Sequence, residues 1–229
     1  MSTPETEAPE EPGGGRLARA PRVVTILVLA IALAHAATYL LDAAAHRIVI
    51  DTFAVIPSHF SDGDVDIFGA SAALIGNVFL HAGFIHLFFN AMLILQTGEL
   101  VAERFGRDVG GMLRFLALFF AAGAAGAAAY VAINWGSSIP AVGASGAACG
   151  LFAAYLMAPY PDWRVALRAK PVLQMGFFFL LVNVALAALA RFTGVLPIAW
   201  EAHLGGFLFG LLAFGLFDRP EPAPRPSLH

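Results

Sequence analysis

The chain has 229 residues, 59% of them hydrophobic and 13% charged, with a mean hydropathy of +0.76. A soluble domain of that length buries only part of so much apolar surface, so the composition excludes a water-soluble globular protein. The net charge of −3 points to no nucleic-acid partner, and a single cysteine, Cys149, excludes an internal disulfide.

Residues 1–21 are rich in Pro, Glu and Gly and read as a solvated, disordered cytoplasmic tail. Six apolar stretches follow, at roughly 22–41, 80–101, 112–134, 144–158, 172–190 and 200–217; most approach the ~20 residues a crossing requires. The first is preceded by arginines, as a signal peptide would be. It is longer than a usual apolar signal region, so it reads as an uncleaved span. Residues 22–217 therefore form one all-α polytopic membrane domain, and 218–229, with four prolines in the last eleven residues, a second disordered cytoplasmic tail.

Cations set the orientation. With a cytoplasmic N-terminus, Arg16, Arg19, Arg22, Arg104, Arg107, Arg114, Arg164, Arg168, Lys170, Arg219 and Arg225 fall inside, and only Arg47 and Arg191 outside. Both termini are then cytoplasmic and the number of spans is even. The long connection 43–79 carries Asp51, Asp62, Asp64 and Asp66 beside apolar runs such as Phe53–Ile56, and reads as a short amphipathic structure in the outer interface.

The second span opens His81-Ala82-Gly83-Phe84-Ile85-His86. His86 and Asn90 are about 40° apart on a helix, so one face presents an imidazole and a carboxamide; His81, about 140° from His86, is expected off that face. The fourth stretch is short for a crossing. Trp135–Gly143 before it is too broken to continue a helix, and irregular backbone at membrane depth is tolerated only inside protein or beside a watery cavity. Ser145 is therefore expected below the outer surface, at a helix N-terminus whose free N–H groups suit an oxyanion. In the sixth span, His203 precedes Gly206 and Gly210, four apart, as Gly146 and Gly150 are after Ser145. Small faces of this kind let two helices approach closely, which would bring hydroxyl and imidazole together. Ionisable groups inside a membrane are costly and mark function by default.

His81-x4-His86-x3-Asn90, Gly143-Ala144-Ser145-Gly146 and Ala202-His203-x2-Gly206-x3-Gly210, in this order on the second, fourth and sixth spans, resemble the rhomboid intramembrane serine proteases over about residues 22–217. The resemblance implies a rhomboid-like six-transmembrane helix bundle that cleaves single-span membrane proteins within the lipid. By position, Ser145 is the nucleophile and His203 the general base. His86 and Asn90, with the Ser145 N–H, form the oxyanion site, and His81 is structural. Gly143, Gly146, Gly206 and Gly210 shape the site. Such an enzyme sits in a bacterial inner membrane, with its site open to the outer side.

Three positions depart from the family pattern. A Trp-Arg pair of the first external loop is replaced by Ala72-Ala73. The aromatic ring four residues after the nucleophile, which stacks on the catalytic histidine, is replaced by Cys149. A glutamate near the inner end of the second span falls at Ala102.

A catalytic triad would add an acid beside the histidine. Glu201 lies about 100° round the helix from His203 and Asp218 at its far end, so a Ser–His dyad is the economical reading, with His203 oriented by packing. Cys149, one turn after Ser145, is expected to border the same cavity. No cofactor or metal is implied: there is no His-Glu-x-x-His and no intramembrane aspartate pair, and the helix angles oppose a site from His81, His86 and His203. The bulky Phe177-Phe178-Phe179 either lines a lateral entrance beside the second span or faces lipid. Two rivals remain: a catalytically silent rhomboid-like protein that binds transmembrane helices, and a small-solute transporter, which would require polar residues across several helices or a repeat. Oligomeric state is not legible.

Overall fold

The computed structural model describes residues 21–193 and 198–218. The expected tails lie almost wholly outside these residues, as do Arg16, Arg19, Arg219 and Arg225. Helix α1, Arg22–Thr38, begins behind Pro21 and buries Val24, Leu27 and Ile31. The connection 43–79 folds into α2, Ala43–Phe53, α3, Pro57–Ser61, and α4, Ile67–Gly76, followed by a 3₁₀ turn, Asn77–Phe79. Two aspartates start these helices: Asp42 accepts the Ala45 amide and Asp66 that of Gly69, both at 2.8 Å. Ile48, Ile67 and Phe68 stay exposed while Ala54, Val55 and Ile56 are buried.

The remaining elements are α5, Phe84–Phe105; α6, Val109–Ile133; α7, Ser145–Met157; α8, Trp163–Ala166; α9, Lys170–Thr193; and α10, Trp200–Phe217. Helix α5 starts four residues later than the apolar run suggests, because His81-Ala82-Gly83 is non-helical, and it runs on to Gly106 at φ +103°. Asp108 caps α6 by accepting the Gly111 amide at 2.9 Å. Among the described residues, four helices are long and apolar enough to cross a membrane: α5, α6, Lys170–Leu189 of α9, and α10; α1, α7 and Ile67–Phe79 are shorter apolar helices. The chain is a helical polytopic membrane bundle.

Helix α7 is the centre of that bundle, packed by α5, α6 and α10. Its 13 residues span about 20 Å at ~1.5 Å each, less than a ~30 Å hydrocarbon core. Nine are buried, which fits a helix apolar all round. Ile31, Ile94, Phe115, Phe119 and Phe214 from the other helices join its Leu151 and Met157 in the core. At the end where α5 and α10 finish, Arg104 holds Asp218 through Nε–Oδ1 and Nη2–Oδ2 bonds, both of 2.9 Å. Arg22, Arg107, Arg114, Arg164, Arg168 and Lys170 lie at helix ends that the alternating connectivity brings to the same side.

Candidate active site

Ser145 is the first residue of α7, so the amides of its first turn have no acceptor within the helix. The chain reaching it is held by the 43–79 connection. Val55 and Ala141 exchange two backbone hydrogen bonds of 2.9 Å, Ser58 N–H donates to Ser137 at 2.9 Å, and Gly143 N–H donates to Asn77 at 3.0 Å. The short helices of the 43–79 connection thus fix residues 137–143 and, through them, the position of Ser145.

Close packing of α7 on α10 brings the histidine to it. A Cβ on Gly206 would lie 2.0 Å from the Gly146 carbonyl oxygen, and one on Gly210 2.3 Å from that of Gly150. Only glycine permits this approach. Across the seam, Ser145 Oγ and His203 Nε2 stand 2.8 Å apart. His203 Nδ1 lies 3.0 Å from Asn183 Oδ1 on α9. Sequence reasoning left the orientation of His203 to packing and missed Asn183. The available signal was a carboxamide in the apolar middle of the run 171–190, whose other carboxamide, Gln174, lies near its start.

On the opposite side, His86 and Asn90 converge on Gly143. A Cβ there would meet His86 Nε2 at 2.8 Å and Asn90 Nδ2 at 3.4 Å, and φ is +122°, a conformation that favours glycine. Asn90 Nδ2 is buried with no hydrogen-bond partner among the described residues. His86 Nδ1 faces the Ala82 amide in a long contact of 3.5 Å, which leaves Nε2 to carry the proton. Two donors therefore point at the turn that delivers Ser145. Beneath that turn a cavity of about 20 Å³, lined by Asn77, Gly143, Ser145, Gly146 and Ala202 among others, has room for a water molecule.

A model of the family described as "Rhomboid domain" matches residues 68–219. The chain belongs to the rhomboid family. Relatives include RHOMBOID-like protein 5 of Arabidopsis thaliana, 30% identical over 149 residues, 65% of this chain and 45% of that protein. Rhomboid-like protease 1 of Toxoplasma gondii is 31% identical over 150 residues, 65% of this chain and 47% of that one. Rhomboid protease GluP of Bacillus subtilis is 27% identical over 155 residues, 65% of this chain and 26% of that one. The matched part is less than half the length of each of these relatives.

Two local expectations are corrected in this rhomboid. His81 is not on the second helix at all; from the segment before it, its ring reaches that of His86, with centroids 5.1 Å apart, and that of His35 at 5.8 Å. The 140° argument assumed a helix that starts too early. Cys149 does not line the cavity beside Ser145. Its side chain packs with Ala153 and Phe207, because Phe207 on α10 occupies the space one turn below the histidine. Where the family pattern has Trp-Arg, Ala72 and Ala73 lie on α4, and the same connection is tied to residue 141 by the Val55–Ala141 bridge. Glu201 does point away from His203: it is buried and accepts a 3.1 Å bond from Asn134 Nδ2.

Proposed function

We propose that this rhomboid is an intramembrane serine endopeptidase acting on single-span membrane proteins, with Ser145 as nucleophile and His203 as general base. The observation that carries the reading is the 2.8 Å Ser145 Oγ–His203 Nε2 contact at a helix N-terminus, beside the unpartnered amide of Asn90. Nε2 takes the hydroxyl proton as Oγ attacks the scissile carbonyl carbon. The carbonyl oxygen becomes the oxyanion, met by His86 Nε2–H, Asn90 Nδ2–H and the Ser145 N–H. The imidazolium returns the proton to the departing amine, leaving an acyl-enzyme on Ser145, and a water activated by His203 releases the acid. The small cavity beside Ser145 supports such a water. The cations at one end of the bundle support cytoplasmic termini and a site opening to the outer side. Family membership supports a transmembrane substrate in the lipid.

The test is cleavage of a model single-span protein in liposomes by the full chain. Ser145→Ala and His203→Ala are expected to abolish it while thermal stability holds. Removing one oxyanion donor, as in Asn90→Ala or His86→Ala, is expected to lower kcat by roughly 10²–10³. Cleavage by Ser145→Ala at the wild-type rate would end the proposal. Binding of the substrate without cleavage by the wild type would turn it into a helix-binding protein.

A further inference from the structure

Asn183 is 4% exposed, and it and Val172 are the buried residues among the described side chains of α9. Both ends of its carboxamide are used. Nδ2 donates to the Phe179 carbonyl at 2.9 Å, one turn back on the same helix, and Oδ1 faces His203 Nδ1 at 3.0 Å. A carbonyl oxygen only accepts, so the atom beside Phe179 is the amide nitrogen. The reversed amide would set two carbonyl oxygens against each other. The atom beside His203 is therefore the oxygen, which also only accepts, and Nδ1 must carry the imidazole proton. Nε2 is left with its lone pair directed at the Ser145 hydroxyl. The chain of bonds from Phe179 to Ser145 thus has one direction, and it is the direction in which His203 accepts from Ser145.

We infer that Asn183 is a positioning residue that selects the Nδ1–H tautomer of His203 and so makes it a base toward Ser145. The inference rests on the protease reading for its purpose, but the tautomer itself is independent of it. The surrounding aromatic rings hold the same contact. Phe179 stacks on Phe207 with centroids 4.2 Å apart and planes at 16°, so residues 179 and 183 of α9 meet residues 203 and 207 of α10 as two matched one-turn pairs. Cys149 packs on that Phe207. Where the family's aromatic ring would restrain the histidine from α7, this chain restrains it from α9 by a hydrogen bond, with the Phe179–Phe207 stack joining the same two helices one turn away.

The experiment is long-range ¹H–¹⁵N correlation spectroscopy of the full chain in detergent, labelled with ¹⁵N-histidine at neutral pH. The His203 signals are assigned by their loss in His203→Gln. The wild type is expected to show the Nδ1–H pattern. In Asn183→Leu the population moves toward Nε2–H, and labelling of Ser145 by a fluorophosphonate slows by about 10- to 100-fold, as for loss of one buried orienting bond. With a single-span substrate, kcat falls and KM does not. Asn183→Ala is read in the same way should the leucine variant fail to fold. An Nε2–H wild type, or a folded Asn183 variant with wild-type tautomer and labelling rate, overturns the inference. A wild type with the Nδ1–H tautomer that never cleaves would sink the protease reading instead.

Discussion

Helices α7 and α9 both lie against α10 and contribute to the same hydrogen-bonded chain, yet they are held in different ways. Nine of the 13 residues of α7 are buried, and its glycines leave no room between its backbone and that of α10. Helix α9 buries 11% of its most apolar window, against 44% for α6. Phe177, Phe178, Leu181 and Val184 are exposed along it, and its firm contacts with α10 are the Asn183 bond and the Phe179–Phe207 stack. Ser145 is thus mounted on the buried core and the group that faces His203 Nδ1 on a peripheral helix. Position of Ser145 is set by backbone contact, which tolerates no side chain. Orientation of His203 is set from α9 by a side-chain hydrogen bond, that of Asn183.

Alanine in place of glycine sharpens this contrast most. Gly206→Ala puts a methyl against the Gly146 backbone, and backbone cannot rotate aside. Destabilisation at or above the ~3 kcal/mol upper end of ordinary overpacking is expected, read as a fallen Tm or loss of folded protein. Gly146→Ala, whose Cβ would meet the Ala202 oxygen at 3.1 Å, is expected to cost less, since the neighbour need give only a few tenths of an ångström. Equal losses at 146 and 206 would show that the seam is not a rigid backbone contact.

Cys149→Phe tests the boundary between the two regions. The added ring enters the cluster of Ala153 and Phe207 and is expected to cost about 1–3 kcal/mol of stability while disturbing the Phe179–Phe207 stack. Unchanged stability together with faster turnover would mean that the site has space for a ring, and that Phe207 does not fill it.

The smallest effect is expected on α9 itself. A Cβ on Gly176 would lie 3.6 Å from Phe207 Cζ, an ordinary contact. Gly176→Ala should leave Tm unchanged or raise stability by up to about 1 kcal/mol, the helix preference for alanine over glycine. A loss there as large as at Gly206 would break the comparison, because α9 would then be packed as tightly as α7.

The sequence carried much of this molecule. Length and hydropathy defined a membrane bundle, because backbone in lipid must satisfy its own hydrogen bonds and only a helix does so within one segment. The glycine spacing at 146/150 and 206/210 announced a close helix pair, and Ser145 and His203 beside it marked the candidate site. Those features depend on local periodicity, which is written along the chain. Tertiary structure decided what periodicity does not carry. The start of α5 lies past His81, whose ring instead meets those of His35 on α1 and His86 on α5. Cys149 turned from the cavity because Phe207, 58 residues away, took the adjoining space. Asn183, an isolated carboxamide in an apolar run, reads from sequence as one polar group among lipid-facing residues. Its meaning depends on which way α9 faces α10, and that is set by packing between segments whose relative rotation no single helix encodes.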